Sequence, residues 1–391
     1  MKRIIFPTGF YRLHPNASMN FQMNRWYSWV GEEGMLDDMR KAAAHIANYS
    51  DWKREFLALA IKASNNGHTL RAAFYFRSAD FFMQAADPDR QSARRNFLSA
   101  IRSVYGLDGQ DHHAIPYTDG DVRGFLPAYR FTPERCKGTI VFFGGFDSYI
   151  EELTSGFFYL RDAGYEVVAF EGPGQGGALN DAGLHMTAEW HKPVKAVLDH
   201  FKLDHVTLIG LSMGGCLVLR AAAFEPRVER VVAYNVYPDS LEVNLRQVNP
   251  LLRGLMKVLL DLRASAVVNL VASRVARNNP IAEWGIDEGM HVTGTRSPYE
   301  YFQKIRLFHT DDVSALIAQD VLLLAGSEDH LLPVADFYKQ IKMLKNARSL
   351  TARLFTRSDS AQSHCQVGNY GLAFKTIVNW LDGLNQSDRP S

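Results

Sequence analysis

A serine in a glycine-rich turn is the first residue of this sequence whose surroundings suit chemistry. Ser212 lies in Gly-Leu-Ser-Met-Gly at 210–214, which fits the pattern Gly-x-Ser-x-Gly. The apolar run at 206–209 predicts a buried strand, and the residues from about Gly215 predict a helix. A tight turn at the start of a helix offers N–H groups to an oxyanion. The pattern therefore predicts a nucleophilic serine, and the alternative is an ordinary small-residue turn.

A serine hydroxyl needs a base, and the base needs an acid that fixes its tautomer. Around such a turn the chain order is serine, acid and then histidine, each in a loop after a strand. Asp329 follows one predicted strand and His364 follows the last one. We therefore predict Ser212 as nucleophile, Asp329 as acid and His364 as base. Glu328 is the competing acid and His330 the competing base, but His330 is adjacent to Asp329 and cannot easily turn back onto it.

Serine hydrolysis also requires two backbone N–H groups that bind the negative charge of the intermediate. Met213, directly after the serine, is predicted to supply one of them. The second is expected from the loop Gly-Gly-Phe at 144–146, which follows a predicted strand. We assign it to Phe146, with Gly145 as the alternative.

Strands and helices alternate from about residue 112 onwards, which predicts a mostly parallel sheet with helices on both faces. Residues 36–107 have the apolar spacing of about four helices, whereas residues 1–35 are left unassigned, as an arm that packs on something else. We predict a helical domain over 1–110 and a catalytic domain over 111–391. A helical insertion at about 238–305 is expected to form a lid, and the alternative is extra helices on the sheet edge.

Bulk composition excludes several classes of function. The chain has 391 residues, is 47% hydrophobic, and has 43 basic against 42 acidic residues. This balance predicts neither nucleic-acid nor membrane partners, and leaves a small-molecule substrate. The three cysteines have no metal-ligand spacing, so we expect no metal, and no cofactor is implied. Pro7 and Gly9 interrupt the N-terminal apolar run too early for a signal peptide, so a cytoplasmic location is expected.

Four stretches of the sequence resemble one branch of the α/β-hydrolase superfamily. That branch carries an N-terminal helical domain and includes 2,6-dihydropseudooxynicotine hydrolase, fungal hydrolases that shorten polyketide pigment precursors, and esterases of the fermentation–respiration-switch type. The stretches are GGFDSYIEE at 144–152, EGPGQGG at 171–177, GLSMGGCLVLRAAAFEPR at 210–227 and SHCQVGN at 363–369.

The resemblance implies an α/β-hydrolase fold with an N-terminal helical domain and a helical lid, which together roof the pocket. It implies the same roles for Ser212, Asp329 and His364, and it implies a homodimer. One departure is Glu171, where the branch usually has aspartate. Some members cleave carbon–carbon bonds with the help of an extra acid, for which Asp239 and Glu242 are the auxiliary candidates.

The sequence thus predicts a cofactor-free serine hydrolase that acts on a medium-sized apolar or aromatic carbonyl compound. The bond is a carboxylic ester or a carbon–carbon bond of a β-diketone-like or polyketide-like molecule. Two alternatives are a peptidase of the prolyl-oligopeptidase type and a non-catalytic hydrolase fold that acts as a ligand receptor.

Overall fold

An eight-stranded sheet forms the centre of the protein in a computed structural model that describes residues 4–107, 109–246 and 248–387. The strand order is β1-β2-β4-β3-β5-β6-β7-β8. Strands β1 and β2 form an antiparallel hairpin, and β2 also pairs antiparallel with β4. All pairings among β3 to β8 are parallel. The strands are β1 His112–Asp119, β2 Val122–Phe131, β3 Thr139–Phe143, β4 Glu166–Phe170, β5 Val206–Leu211, β6 Val228–Tyr234, β7 Asp320–Gly326 and β8 Ser349–Phe355.

The central strands are buried along their whole length, because helices cover both faces of the sheet. Every residue of β4, β5 and β7 is buried. A strand covered on both faces has no polar side, so its sequence is a continuous apolar run and not an alternating one. This is why the apolar runs in the sequence located these strands to within a few residues.

Five helices precede the sheet, one more than the sequence predicted. They are α1 Ala17–Val30, α2 Glu33–Ala43, α3 Tyr49–Asn65, α4 Thr69–Phe81 and α5 Arg90–Tyr105. The extra helix, α1, lies in the segment that the sequence left unassigned. The side chain of Asn16 caps its start by accepting a hydrogen bond from the Met19 N–H, and Gly31 ends it in the left-handed conformation.

Eleven further helices within the described residues lie between the strands or after them. They are α6 Thr154–Asp162, α7 Gly176–Asn180, α8 His191–Phe201, α9 Gly214–Ala222, α10 Ser240–Leu245, α11 Pro250–Asp261, α12 Ser265–Asn278, α13 Pro280–Thr293, α14 Pro298–Ile305, α15 Val334–Met343 and α16 Tyr370–Ser387. Short 3-10 helices cover Ile150–Leu153, Ser314–Leu316, Arg357–Asp359 and His364–Gln366. Helices α10 to α14 all lie between β6 and β7; we call them the lid after their predicted role, which stays a prediction.

The sheet separates two hydrophobic clusters, and the N-terminal helices share one of them. On one face, Phe142 and Ile209 pack in a cluster with residues of α1 to α6 and α16. On the other face, Val141 and Leu208 pack in a cluster with residues of α8, α9 and the lid. The N-terminal helices therefore rest on the sheet through a continuous apolar core, and the domain boundary near residue 110 stays a prediction.

No helix among the described residues has the length and apolar character needed to cross a bilayer.

Candidate active site

The turn after β5 holds Ser212 in a strained backbone conformation. Its φ is +59°, in the left-handed region that non-glycine residues rarely adopt. The neighbouring glycines allow this turn: a Cβ on Gly210 would lie 2.0 Å from the Gly214 carbonyl oxygen, and one on Gly215 would lie 1.8 Å from the Asn235 carbonyl oxygen. The glycines therefore let the backbone of the turn pass close to β5 and to the end of β6, and this close packing places Ser212 at the tip of the turn.

Three side chains from distant loops meet at this turn. The Ser212 Oγ lies 2.9 Å from the His364 Nε2, and the His364 Nδ1 lies 2.7 Å from the Asp329 Oδ2. The side chains of His364 and Asp329 are only 6% and 1% exposed. The structure thus brings the three predicted residues together in the order hydroxyl, imidazole and carboxylate. The competing acid, Glu328, instead forms an ion pair with Arg357.

Asp329 is held by hydrogen bonds to both of its oxygens. Its Oδ1 accepts the N–H groups of Leu331 and Leu332 at 2.8 and 3.0 Å. Its Oδ2 accepts a hydrogen bond from the Asn235 amide as well as from His364. Asn235 was not singled out from the sequence. Its position directly after β6, at the same sheet edge as the serine turn, is the signal that points to it.

Burial and charge pairing shift the pKa values of Asp329 and His364 in opposite directions. Burial favours the neutral form of each group, yet the charge and hydrogen bond of His364 hold the pKa of Asp329 below its usual value. In the same way, burial would lower the pKa of His364, but the Asp329 carboxylate raises it well above 6.5. The ion-pair form is therefore favoured, which is the charge state that follows proton transfer from the serine.

His330, the competing base, lies on the wall of the cavity and not on the serine. Its ring centroid is 4.6 Å from that of Phe21 and 6.1 Å from that of His364. The protein around the ring desolvates it and lowers its pKa to about 4. The His330 side chain is thus a neutral imidazole at neutral pH, available for hydrogen bonding to a molecule in the cavity.

The loop after β3 approaches the serine from the other side. A Cβ on Gly145 would lie 2.9 Å from both the Leu211 carbonyl oxygen and the Ser212 Cβ. The Gly145 N–H donates to the Ser148 Oγ at 3.2 Å. The Phe146 and Met213 N–H groups donate to no acceptor within the described residues. Gly145 therefore supplies close approach, while Phe146 and Met213 have the unused donors that an oxyanion requires.

A cavity of about 900 Å³ opens on the serine between the sheet, the N-terminal helices and the lid. Helix α1 contributes to its wall, so the unassigned N-terminal segment belongs to the site. The side chains of Phe81 on α4 and Trp284 on α13 stack at 5.1 Å, and the Trp284 Nε1–H donates to the Phe81 carbonyl oxygen at 3.0 Å. Lining residues are Ser18, Gln22, Phe81, Phe146, Asp147, Ser212, Met213, Tyr237, Val243, Asn244, Ile281, Trp284, Gly285, Ile305, His330 and Leu331.

Two smaller cavities share walls with this one and differ in polarity. The first, of about 530 Å³, lies inside the lid and is lined almost entirely by apolar side chains; it shares Asn244, Ile281 and Gly285 with the cavity at the serine. The second, of about 370 Å³, contains the side chains of Arg77, Asp80, Arg90 and Glu288 and shares Phe81, Phe146, Asp147 and Trp284. We call the first of these cavities the apolar arm of the site and the second its polar arm.

Buried charges connect the N-terminal helices to the loop that carries Phe146. Arg77 on α4 donates to Glu152 and to the Asp147 carbonyl oxygen, each at 2.5 Å. Arg25 on α1 pairs with the Asp147 carboxylate at 3.2 Å and with Glu152 at 2.8 Å. Glu152 in turn accepts the Tyr149 N–H at 3.1 Å. Two arginines from the N-terminal helices thus hold the loop at both Asp147 and Glu152.

The N-terminal segment also contacts the loop that follows His364. The Gly9 N–H donates to the Gly368 carbonyl oxygen at 2.8 Å. The Gly368 N–H donates to the Ser28 Oγ, on α1, at 3.3 Å. Gly9 and Ser28 therefore brace the loop that follows the imidazole.

The auxiliary acids Asp239 and Glu242 do not face the cavity at Ser212. Asp239 caps α10 by accepting the Glu242 N–H at 2.9 Å, and Glu242 forms ion pairs with Arg253 and Lys257. Neither lines the cavity, whereas their neighbours Val243 and Asn244 do. A helix places successive residues on different faces, so a carboxylate at 242 and a pocket residue at 243 point in different directions.

Glu171, the departure from the usual aspartate, ties two loops together. Its Oε1 accepts the Ile150 N–H at 2.9 Å, and its Oε2 accepts the Gly177 N–H. Burial and the nearby Glu151 carboxylate raise the pKa of Glu171 to about 8. The residue therefore has a structural position beside the 144–152 loop and does not line the cavity.

Comparison with known proteins gives a family match over more than half of the chain. The model of the alpha/beta hydrolase fold matches residues 140–356. Hydrolase LUC6 of Fusarium sp is 29% identical over 95% of this chain and 97% of that protein. Hydrolyase poxO of Penicillium oxalicum is 28% identical over 95% of this chain and 98% of that protein. 20-hydroxy-prefusarin hydrolase FUS2 of Gibberella moniliformis is 28% identical over 67% of this chain and 72% of that protein.

Solved structures extend the likeness of fold to the N-terminal helices. The crystal structure of 2,6-dihydroxy-pseudo-oxynicotine hydrolase superposes with a TM-score of 0.61 at 20% identity, covering 91% of this chain and 94% of that chain. The AbyA5 wild-type structure gives a TM-score of 0.64 at 19% identity, covering 94% of this chain and 95% of that chain. With the matched family model, the mostly parallel sheet and the related hydrolases, this chain belongs to the alpha/beta hydrolase fold family and is a hydrolase.

Proposed function

We propose that Ser212, His364 and Asp329 form the catalytic triad of this hydrolase. The proposal rests chiefly on one observation, the continuous pair of contacts of 2.9 and 2.7 Å from hydroxyl to imidazole to carboxylate. Both distances are within the range that proton transfer and tautomer control require. The intact geometry and the unused donors beside the serine are what favour an enzyme over a ligand receptor of the same fold.

The reaction begins when the Ser212 Oγ attacks the substrate carbonyl carbon and the His364 Nε2 takes its proton. The carbonyl π electrons move to oxygen, and the N–H groups of Phe146 and Met213 bind the resulting oxyanion. The intermediate collapses, the bond to the leaving group breaks, and the leaving group takes the proton from His364. A water molecule then attacks the acyl-serine in the same manner, which releases the acid and restores the hydroxyl.

The substrate that fits the site is a medium-sized, largely apolar carbonyl compound. The cavity at the serine and the apolar arm within the lid accommodate a hydrocarbon or aromatic portion. The polar arm accommodates a neutral hydrogen-bonding end, because its two arginines are balanced by Asp80 and Glu288. A free carboxylate or amine on the substrate would gain little there, because the polar arm contains charges of both signs.

Carboxylic ester cleavage is the chemistry that the site supports best. An alkoxide leaving group needs a proton only from His364, whereas a departing carbanion calls for a further acid at the right place. Of the described residues that line the cavity around Ser212, only Asp147 carries a carboxylate, and Arg25 pairs with it. Carbon–carbon cleavage is the second candidate, and Asp147, not Asp239 or Glu242, is the acid it would use.

Active-site labelling tests this proposal. A fluorophosphonate should modify wild-type protein at Ser212, as located by peptide mass spectrometry. Ser212→Ala should lose the label and lower the turnover of an activated aryl ester by on the order of 10⁶. The matched control is Ser240→Ala, a fully buried serine whose hydroxyl has no hydrogen bond within the described residues. Labelling at another residue, or loss of less than about tenfold, would overturn the assignment.

The variant Asp147→Asn distinguishes ester cleavage from carbon–carbon cleavage. For an ester, turnover should stay within about threefold, because His364 protonates the alkoxide. A matched β-diketone would lose at least about tenfold if Asp147 delivers the proton to carbon.

A further inference from the structure

The outer surface of the lid carries an uncovered apolar stripe. Leu251, Leu255 and Val258 on α11 and Leu262, the residue that caps its end, are 88%, 49%, 53% and 72% exposed. They are spaced by four, three and four residues, which places them on one face of the helix. Isolated exposed leucines are ordinary, but a contiguous set on one helix face marks a contact surface.

The next helix continues this surface and adds positive charge. Val267, Leu270, Arg274 and Arg277 of α12 follow one another at spacings of three, four and three residues, which places them on one face, and Arg263 lies in the turn before α12. Val267 and Leu270 are 45% and 52% exposed. The three arginines are exposed and form no ion pair within the described part of the chain. We call these nine residues, 251, 255, 258, 262, 263, 267, 270, 274 and 277, the outer lid face.

The inner faces of the same two helices are already occupied by the site. Leu252 and Met256 of α11 and Val271 and Val275 of α12 line the apolar arm of the cavity. Each helix is therefore apolar on both sides, and the lid over this arm is one helix thick. A helix that is apolar on both sides is expected to be covered on both sides.

The local charge of this segment differs from that of the whole chain. Residues 250–278 contain five basic residues, Arg253, Lys257, Arg263, Arg274 and Arg277, and one acidic residue, Asp261. Arg253 and Lys257 pair with Glu242, and Asp261 pairs with Arg306. The unpaired charges that remain on the outer lid face are therefore all positive.

We propose that the outer lid face docks on an anionic membrane surface. Leucine and valine side chains on one helix face with arginines beside them are the composition of helices that lie in the plane of a bilayer interface. The same arginines disfavour a second copy of this chain as the occupant, because a two-fold contact through this face would bring like charges together. When the lid is docked, one layer of helix separates the apolar arm from the bilayer. An apolar substrate would then enter the arm from the bilayer.

This inference departs from the prediction of no membrane partner, which rested on the net charge of the whole chain. A surface interacts with the charges within about a Debye length of it, roughly 8 Å at physiological salt. The local excess of arginine on the outer lid face therefore decides the contact, and the compensating acids elsewhere do not.

Vesicle flotation tests the proposal with the intact protein. Wild type should float with phosphatidylcholine vesicles that contain phosphatidylserine and much less with phosphatidylcholine alone, and added salt should weaken the binding. Arg274→Gln and Arg277→Gln should each lower partitioning about fivefold. Leu251→Ser and Leu262→Ser should each lower it by about tenfold. The matched control is Ile61→Ser, whose side chain is 55% exposed on α3.

The variants leave the cavity wall intact, so turnover of a soluble ester and fluorophosphonate labelling should equal wild type and report correct folding. Failure of labelling would concern the triad, and failure of flotation would concern the outer lid face, so the two outcomes are distinguishable. Absence of flotation with both kinds of vesicle would overturn the proposal. So would a dimer in sedimentation velocity that Leu251→Ser and Leu262→Ser abolish, because a second copy would then cover the face.

Discussion

The guanidinium of Arg77 donates a hydrogen bond of 2.5 Å to the carbonyl oxygen of Asp147, the residue directly after Phe146. A side chain from the N-terminal helices thus holds the backbone whose N–H we assign to the oxyanion. Arg77 is fully buried, and its charge is met by Glu152 and Asp80. The N-terminal helices therefore do more than enclose the substrate, because they fix part of the machinery in place.

Arg77→Lys should lower kcat by roughly ten- to a hundredfold and leave KM within about twofold. An ammonium cannot replace the several directed N–H groups of a guanidinium, so the 145–147 backbone loses its fixed position, and small misplacements of catalytic groups cost about this much. Steady-state kinetics on an activated ester measures both constants. Arg71→Lys is the control, since Arg71 lies on the same helix and is 13% exposed but pairs with Glu32 and Asp38. Equal losses in both variants would mean general destabilisation.

The pH dependence of kcat/KM should report His364. The imidazole must be neutral to accept the serine proton, and Asp329 raises the His364 pKa well above 6.5. Activity should therefore rise with pH through a midpoint above 6.5. Asp329→Asn removes the charge that raises this pKa, so the midpoint should move to lower pH while kcat falls by about 10⁴. A profile that keeps its midpoint in Asp329→Asn would show that another group controls it.

Gly285 should control access to the apolar arm. It lines both the cavity at the serine and the arm within the lid, and a Cβ added there meets nothing within 4 Å. Gly285→Leu should lower kcat/KM for long-chain or bulky esters by at least about tenfold and leave acetate esters nearly unchanged. Gly254→Leu is the matched control, because Gly254 is on the exposed side of α11 and also has open space around it. Loss for esters of every length would indicate a folding defect in α13.

Glu242→Gln should leave hydrolysis unchanged and lower thermal stability. Its carboxylate lies outside the cavity and pairs with Arg253 and Lys257, which join α10 to α11. The side chain is 21% exposed, so the loss should be about 1 kcal/mol or less. Asp239→Asn should likewise keep activity, since an asparagine side chain also caps a helix. A selective loss of carbon–carbon cleavage in either variant would show that these acids reach the substrate in another lid position.

The sequence located the sheet and the serine turn because those features have local causes. Buried parallel strands read as apolar runs, and the glycines at 210, 214 and 215 are forced by contacts within a few ångströms. The order of Ser212, Asp329 and His364 followed from the order of the strands. Each of these depends on residues close in the chain or on a fixed topology.

The sequence missed features that arise only from long-range packing. The sequence of helix α1 does not show a clear apolar face, because the polar residues Asn24, Ser28 and Gln22 are buried along with its aromatic residues. Asn24, for example, is satisfied by backbone groups of residue 11, a pairing that no spacing rule reveals. The positions of Asn235 against Asp329 and of Arg77 against residue 147 likewise depend on tertiary contacts. The same holds for Glu242, whose placement outside the cavity depends on the angle at which α10 enters the lid.

The hydrogen bond between Gly9 and Gly368 has a consequence for biosynthesis. Residue 9 is made before the first strand of the sheet, whereas residue 368 is made after the eighth. The strands of the sheet are thus made before the loop after His364 can gain this hydrogen bond. The contact that braces the loop after His364 therefore spans the whole sheet in sequence, and it can form only after all eight strands have been made.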